Sequence, residues 1–187
     1  PISIVSIPEN HEPATTSFPN WKIVVGFEGF SKTVNYQIEK CGDVLKSGNL
    51  QPLEPTDYPV HRGKFKNTYE QLAPSPFILR ADFPLDKVSE FFGALDGRPN
   101  LSTVLLDFGC GRLLAGMDEL SDKDWRHLCE LAANYHGHCL LLKAKDDFKV
   151  RNDVFGTPRS EWKIMHQVKE AIDPDNIFAS GCLPGKV

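Results

Sequence analysis

The chain contains 187 residues, of which 41% are hydrophobic and 25% are charged, and these proportions are typical of a folded globular domain. They exclude a disordered or fibrous protein. The 21 basic residues against 25 acidic ones give a net charge of −4, whereas a chain that binds nucleic-acid phosphates carries a clustered basic excess. We therefore expect no nucleic-acid partner.

The apolar stretches, the N-terminal residues and the cysteines predict the cellular compartment. No apolar stretch approaches the roughly 20 residues that span a bilayer, and Pro1-Ile2-Ser3-Ile4 lacks the basic and apolar regions of a signal peptide. Five cysteines without a C-x-x-C pair favour a reducing compartment. We expect a cytoplasmic protein with no transmembrane segment and, because the first residue is not Met, a fragment of a longer protein.

The first part of the chain predicts one isolated strand and one β-α unit. Residues 2–7 are β-prone and lead into a linker that is rich in proline. Residues 21–28 predict a strand, and apolar residues at helical spacing over 31–46 predict a helix with Ser31 as its N-cap. Residues 60–72 are a weaker helix candidate.

Residues 76–144 predict the core of the fold. Strands are predicted at 76–83, 102–108, 112–117 and 138–144, with helices at 85–95 and 121–136. Gly109-Cys110-Gly111 predicts a hairpin with positive φ at a glycine, Ser121 with Asp124 predicts a capping box, and Gly137 ends the second helix. We predict an α+β fold, a ferredoxin-like βαββαβ antiparallel sheet with helices on one face, extended by an extra N-terminal β-α unit and a C-terminal helix and tail.

The alternation of side chains along the strands predicts which residues face the helices. Phe77, Leu79, Ala81 and Phe83 are expected to face them, so that Ile78, Arg80 and Asp82 lie on an open face of the sheet. By the same rule Leu140 and Leu142 are expected toward the helices, with His138 buried beside them and Lys143 on the open face. Asp107 and Arg112 are the expected companions of Lys143. The open face is therefore predicted to be charged.

A last helix is predicted after Thr157-Pro158. Its expected buried stripe is Trp162, Met165, Val168 and Ile172, and Asp173-Pro174 ends it. Lys163, His166 and Lys169 are expected on its solvated face. His136-Gly137-His138-Cys139 has no second ligand cluster at zinc-like spacing, so we interpret it as a turn into a strand and expect no metal.

The C-terminal string carries the most specific signal. Residues 165–181, MHQVKEAIDPDNIFASG, resemble the closing helix and tail of FAD-linked oxidases of the vanillyl-alcohol-oxidase type, whose pattern is M-x-x-I/V-K-x-x-x-D-P-x-x-I-F-N-P-G. Segments 80–84, 107–112 and 137–141 are similar to the cap domain of the FAD-binding subunit of bacterial glycolate oxidase. The resemblance covers about residues 21–185.

This resemblance implies an FAD-linked oxidase or dehydrogenase of a small 2-hydroxy acid such as glycolate, working with other glycolate oxidase subunits. Residues 1–20 would be the end of a missing FAD-binding domain and a linker, 21–150 the cap domain, and 151–187 the closing helix and tail. The tail would return to the cofactor, with Phe178 and Gly181 as cofactor-binding residues. Ala179 and Ser180 replace the family's Asn and Pro.

Oxidation of a hydroxy acid requires a group that binds its carboxylate and a base for its hydroxyl proton. Arg80 is the first candidate for the carboxylate and Arg112 the second, against the alternative that Arg80 is a surface residue paired with Asp82 or Asp107. His138 is a conceivable base, but its expected burial beside Leu140 favours a structural role, and the base stays unassigned. The competing hypothesis is a free-standing ferredoxin-like ligand-binding or regulatory module without catalysis, which also accounts for a charged open face.

Overall fold

The structure is a computed structural model that describes residues 3–8, 21–45, 70–95 and 101–186. Its strands are β1 Ser3–Pro8, β2 Trp21–Gly26, β3 Phe77–Asp82, β4 Leu101–Asp107, β5 Arg112–Met117 and β6 His138–Lys143. Its helices are α1 Ser31–Val44, α2 Val88–Leu95, α3 Asp122–Asn134, α4 Asp146–Arg151 and α5 Ser160–Ile172, followed by a 3₁₀ turn at Pro184–Lys186.

All six strands form one antiparallel sheet in the order β2-β1-β4-β5-β3-β6. The predicted four-stranded antiparallel sheet is confirmed as β4-β5-β3-β6, and the protein is α+β. Strand β1 pairs with β2 along its whole length and with β4 at Val5 and Ser6, so the N-terminal strands extend the same sheet. The division of the chain into a preceding domain, a cap and a tail stays a prediction.

The main core lies between one face of the sheet and helices α2, α3 and α4. The predicted alternation of β3 is confirmed, since Phe77, Leu79 and Ala81 are buried in this core together with Phe83. Phe148 of α4 meets Phe77 edge to face at 5.2 Å between ring centroids. Each large apolar side chain buried in this way contributes roughly 1.5–3 kcal/mol to the free energy of unfolding.

The opposite face of the sheet is not fully open, which corrects the prediction. A helical turn at residues 70–72 places Leu72 against Leu105 and Leu114, and these three side chains form a second buried cluster that Ile78 joins from β3. Strands β4 and β5 are therefore buried on both faces. The sequence shows this as the continuous apolar runs of the two strands, which are typical of strands covered on both sides.

The predicted orientation of β6 is wrong. Cys139 and Leu141 face the helices, whereas Leu140 pairs with Arg80 and His138 pairs with Asp82 on the opposite face. The register shifts at Ile78/Leu79, where Lys143 and Leu141 are the consecutive partners and Leu142 is the extra residue of a bulge. Lys143 returns to the predicted face and donates to the carbonyl of Ala73 at 2.7 Å.

Helix α3 begins after the predicted Ser121 cap and ends at Asn134, two residues before the predicted end. Ser121 is the N-cap, and its hydroxyl accepts from the amide of Asp124 at 3.1 Å. At the other end His136, not Gly137, has positive φ (58°), and the amide of Gly137 donates to the carbonyl of Ala132. Gly137 is required for a different reason, because a Cβ there would meet the Phe83 ring and lie 2.7 Å from the carbonyl oxygen of Asp82.

The first and last helices differ from their predictions in their caps and buried faces. The N-cap of α1 is Phe30 in place of Ser31, and none of its residues is buried. Only Trp162 of the predicted α5 stripe is buried, and the face turned inward carries His166, Lys169 and the following residue Asp173. The weak helix candidate 60–72 lies mostly outside the described residues. No helix in the described ranges is long and apolar enough to cross a membrane.

Candidate functional site

Four polar residues form a line across the face of the sheet opposite the helices. In the pairing register Asp107 is opposite Arg112, Arg112 is opposite Asp82, and Asp82 is opposite His138. Because directly paired residues of antiparallel strands point to the same side, the four side chains share one face. We call Asp107, Arg112, Asp82 and His138 the charged row. Arg80 lies on the same face, two residues before Asp82.

Asp82 is the centre of the charged row. Its Oδ1 accepts a hydrogen bond from Nε of Arg112 at 2.6 Å, and its Oδ2 accepts one from Nε of Arg80 at 2.6 Å. The Asp82 side chain is 15% exposed, against 33% for Arg80 and 35% for Arg112. One carboxylate therefore holds two guanidiniums, and it is the most buried of the three groups.

The outer ends of both guanidiniums are free of hydrogen bonds within the described residues. All contacts of Arg80 and Arg112 with Asp82 use Nε, and neither side chain donates from Nη to another described residue. Each guanidinium carries five N–H donors in a planar fork. Two arginines with paired Nη groups on one face are suited to binding a planar anion such as a carboxylate.

His138 completes the row on the β6 side. Its Nε2 lies 3.7 Å from Oδ2 of Asp82, the same oxygen that Arg80 contacts. Partial burial lowers the pKa of His138, and the charges of Arg159 and Arg80 lower it further, while Asp82 and Glu161 act in the opposite direction. The imidazole is thus kept in its neutral form at neutral pH, the form that accepts a proton.

The β4–β5 hairpin closes the other end of the row. Asp107 accepts from the amide of Gly109 at 2.9 Å, and Gly111 has the predicted positive φ of 66°. Cys110 is exposed in this turn, but burial of its sulfur and the neighbouring Asp107 raise its pKa. The thiolate, which is the nucleophilic form of cysteine, is therefore disfavoured.

The predicted cofactor-binding residues lie in a separate part of the chain, the tail after α5. Asp173 is buried, and its carboxylate accepts from the amides of Ile177 at 2.8 Å and Phe178 at 2.9 Å. Lys169 contacts both this carboxylate and the carbonyl of Phe178. The side chain of Phe178 is exposed, and so is Gly181, which has a φ of 75°.

The structure brings Arg80 and Arg112 together through Asp82. Within the described residues, no hydrogen bond or ion pair connects Phe178 or Gly181 to these arginines. His138 and Cys139, two residues of the predicted turn, lie on opposite faces of the sheet: Cys139 faces the helices, and His138 belongs to the charged row. No group of three or more His, Cys, Asp or Glu in the described ranges is arranged to hold a metal ion.

No glycine turn in the described residues has the pattern that holds the pyrophosphate of FAD. A dinucleotide is held by backbone amides in a glycine-rich turn between a strand and a helix. The glycine turn at 109–111 joins two strands, and a Cβ at Gly111 would meet the carbonyl of Phe83, so this glycine is required by packing. The turn between β2 and α1 does lead from a strand into a helix, but it has glycine only at Gly26 and Gly29 and lacks the G-x-G-x-x-G spacing.

Two members of the site were not predicted as functional residues. Asp82 was expected only as a surface partner of Arg80, and His138 was expected to be buried. The sequence signal for Asp82 is its position two residues after Arg80, which places both on one face of a strand. His138 was misplaced because three consecutive leucines, 140–142, leave the alternation of β6 undetermined.

Comparison of the chain with protein-family models, with curated proteins and with solved structures found no match. The function proposed below therefore depends on the sequence motifs and on the geometry of the charged row.

Proposed function

We propose that this chain is the cap and C-terminal part of an FAD-linked oxidase or dehydrogenase that acts on a small 2-hydroxy acid such as glycolate. The observation that carries the proposal is the pair of guanidiniums held on one face of the sheet by Asp82, with their Nη groups without partners in the described residues. A pair of this kind provides the carboxylate recognition that a hydroxy acid requires. Arg80 and Arg112 are the proposed substrate-binding residues.

His138 is the proposed acceptor of the hydroxyl proton. It lies beside Asp82 and is kept neutral by burial and by the nearby Arg159 and Arg80. A neutral imidazole next to a bound carboxylate can take the proton of the adjacent hydroxyl group. The flavin, when bound by the complete protein, supplies the acceptor for the hydride. Arg80 and Arg112 orient the substrate, and His138 receives the proton at Nε2 or Nδ1.

The order of the four central strands supports a ferredoxin-like cap. Helix α2 links the parallel strands β3 and β4, and β5 lies between these strands in the sheet. Helix α3 links the parallel strands β5 and β6, and β3 lies between those. Two interleaved units of this kind form the split βαβ arrangement. We propose that β1 and β2 extend this unit at its β4 edge.

The closing motif gives further support for the oxidase. Lys169, Asp173, Ile177 and Phe178 occupy the conserved letters of the pattern K-x-x-x-D-P-x-x-I-F. Their contacts fix the backbone of the tail and leave the side chains of Ile177 and Phe178 exposed. Exposed apolar residues on a fixed backbone are suited to packing against another domain, which we propose to be the FAD-binding domain.

One observation favours the alternative of a self-contained binding module. Strand β1, which the resemblance assigns to the end of a preceding domain, pairs with β2 and β4 of this sheet. In this alternative the charged row binds a small carboxylate without oxidising it. Only the oxidase proposal implies other glycolate oxidase subunits as partners.

The two functions are separated by an experiment on the complete protein that contains this chain. We expect it to purify with bound flavin, and glycolate or lactate added without oxygen should bleach the flavin absorbance, whereas glycolamide, which lacks the carboxylate, should not. A protein without flavin that still binds glycolate would support the module. A flavoprotein that no small hydroxy acid reduces would contradict the proposed oxidase.

A further inference from the structure

We propose that Asp82 is a positioning residue that makes the two guanidiniums into a carboxylate-specific site, an inference that rests on the proposed binding role of Arg80 and Arg112. Its two oxygens are divided between the arginines, with Oδ1 receiving Nε of Arg112 and Oδ2 receiving Nε of Arg80. Each contact is 2.6 Å, within the range of strong charge-assisted hydrogen bonds.

The use of Nε determines which edge of each arginine a ligand can contact. A carboxylate usually contacts arginine through two parallel N–H groups. Since Nε of Arg80 and of Arg112 is taken by Asp82, the pair left for a ligand is the two Nη atoms at the end of each guanidinium. Asp82 therefore fixes both the direction and the number of donors that a bound carboxylate meets.

Burial supports positioning as the role of Asp82. At 15% exposure its side chain is more buried than the arginines it contacts, and its backbone, at the end of β3, pairs with both β5 and β6. Freely moving arginine side chains lose rotamer entropy when they are ordered. A carboxylate that orders them in advance reduces the part of this cost that falls on ligand binding.

Positioning and simple electrostatics predict opposite effects of removing Asp82. The aspartate is negative, so its loss raises the positive potential of the site and, by charge alone, should strengthen anion binding. If Asp82 positions the arginines, its loss should weaken binding, because the guanidiniums lose their fixed geometry. Asp82→Asn tests this sign with little change in shape.

The experiment is an NMR titration of the full 187-residue chain, labelled with ¹⁵N, with glycolate as the probe and the Nε–Hε signals of arginine as the readout. We expect glycolate to shift the signals of Arg80 and Arg112 in the wild-type chain. Asp82→Asn should raise the dissociation constant about tenfold or more, the loss of a charge-assisted contact. Glycolamide should cause no comparable shift in either chain.

The matched control is Asp118→Asn. Asp118 directly follows β5, the strand of Arg112, and carries the same charge, but it is exposed, lies outside the charged row and forms no ion pair with a described residue. We expect this variant to bind glycolate as tightly as the wild type or slightly more tightly. An equal loss in both variants would show that charge or folding, and not positioning, explains the effect, and would overturn the proposal.

A second variant keeps the proposal testable if Asp82→Asn does not fold in a thermal unfolding assay. Asp82→Glu preserves the charge but moves the carboxylate by one methylene, so we again expect weaker glycolate binding. Unchanged or tighter binding in a folded Asp82 variant overturns the proposal, as does a wild-type chain that binds no glycolate. Because the titration needs no flavin, it can succeed where the oxidase proposal fails, and the two failures are distinguishable.

Discussion

At the scale of single residues, one carboxylate, that of Asp82, pairs with two arginines. Asp82 opposes both Arg80 and Arg112, and the second acidic residue of the row, Asp107, turns toward the amide of Gly109. Partly exposed ion pairs of this kind contribute little to the free energy of unfolding, typically below about 1 kcal/mol. Stability alone therefore gives little reason for this arrangement, which the proposed binding of a carboxylate requires.

Arg80→Lys should reduce kcat/KM for the hydroxy acid by about tenfold or more in the complete protein, because lysine keeps the charge but loses the planar two-point contact. Steady-state kinetics with glycolate and lactate provide the measurement. Arg126→Lys is the control, since Arg126 lies on the exposed side of α3 and contacts only the carbonyl of Asp122 in the described structure. If both variants retain wild-type kinetics, Arg80 does not bind the carboxylate.

Gly137 connects the end of α3 to the strand that carries His138. We predict that Gly137→Ala destabilises the chain by about 1–3 kcal/mol, because the added Cβ would overlap the buried Phe83 ring and the backbone of Asp82. Gly93→Ala is the matched control, since nothing lies within 4 Å of a Cβ at this position in α2. There alanine should stabilise the helix by up to about 1 kcal/mol. Urea unfolding of the two variants measures both effects, and equal effects would contradict the packing argument.

At the scale of elements, the C-terminal motif has a physical explanation that is independent of any cofactor. Lys169 and Asp173 lie one helical turn apart, and Asp173 then accepts from the amides of Ile177 and Phe178. These amides follow the end of α5 and would otherwise need solvent as their acceptor. The spacing K-x-x-x-D-P-x-x-I-F therefore corresponds to a helix whose C-terminal lysine and aspartate bind the backbone of the tail that follows.

We predict that Asp173→Asn lowers the thermal stability of the chain at neutral pH and speeds hydrogen exchange at the amides of Ile177 and Phe178. The Lys169 contact and the two amides hold the pKa of Asp173 below its usual value of 3.8. A carboxyl with a lowered pKa stabilises the fold above its ordinary pKa and loses this effect as the pH falls through the folded value. The difference between wild type and variant should therefore shrink in acid.

The control for this prediction is Asp175→Asn, two residues further along the tail. Asp175 is exposed, and no described residue forms an ion pair with its carboxylate. We expect its thermal stability and exchange rates to match the wild type at each pH. A difference between wild type and Asp173→Asn that grows in acid would show that the assigned sign is wrong.

The elements that could be predicted from the sequence are those whose signals are local. The four central strands, the Ser121 cap and the Gly109-Cys110-Gly111 hairpin follow from alternation, capping chemistry and turn residues. The facing of His138 could not be predicted, since a bulge at Leu142 changes the phase of β6. The buried face of α5 was also missed, because its inward residues are polar and are buried by contacts with the tail.

At the scale of the whole molecule, the sheet separates two environments. The helix face holds the main core, and the opposite face holds a small apolar cluster next to the charged row. Leu114 lies two residues after Arg112 on β5 and pairs with Leu105, so this cluster is adjacent to the charged row. A polar site beside an apolar patch is the usual composition of a small-ligand site.

The glycine turns and the tail of this chain predict that it does not hold FAD by itself. The pyrophosphate of a dinucleotide requires clustered backbone amides at a glycine-rich turn that opens a helix. The glycine turn at 109–111 joins two strands instead, and the space at Gly111 is taken by the backbone of Phe83. The turn between β2 and α1 has glycine only at Gly26 and Gly29, without the G-x-G-x-x-G spacing. In the tail, Ala179 stands where the oxidase pattern has asparagine, and alanine has no side-chain donor or acceptor.

Equilibrium dialysis of residues 1–187 against excess FAD measures this prediction directly. We expect much less than one flavin per chain at micromolar protein, because the described glycine turns lack the pattern that holds a pyrophosphate and the exposed Phe178 offers only an apolar contact. Circular dichroism on the dialysed sample controls for folding. One bound flavin per folded chain would contradict the claim that the cofactor is anchored elsewhere, and would place a dinucleotide site within this sequence that its glycines do not indicate.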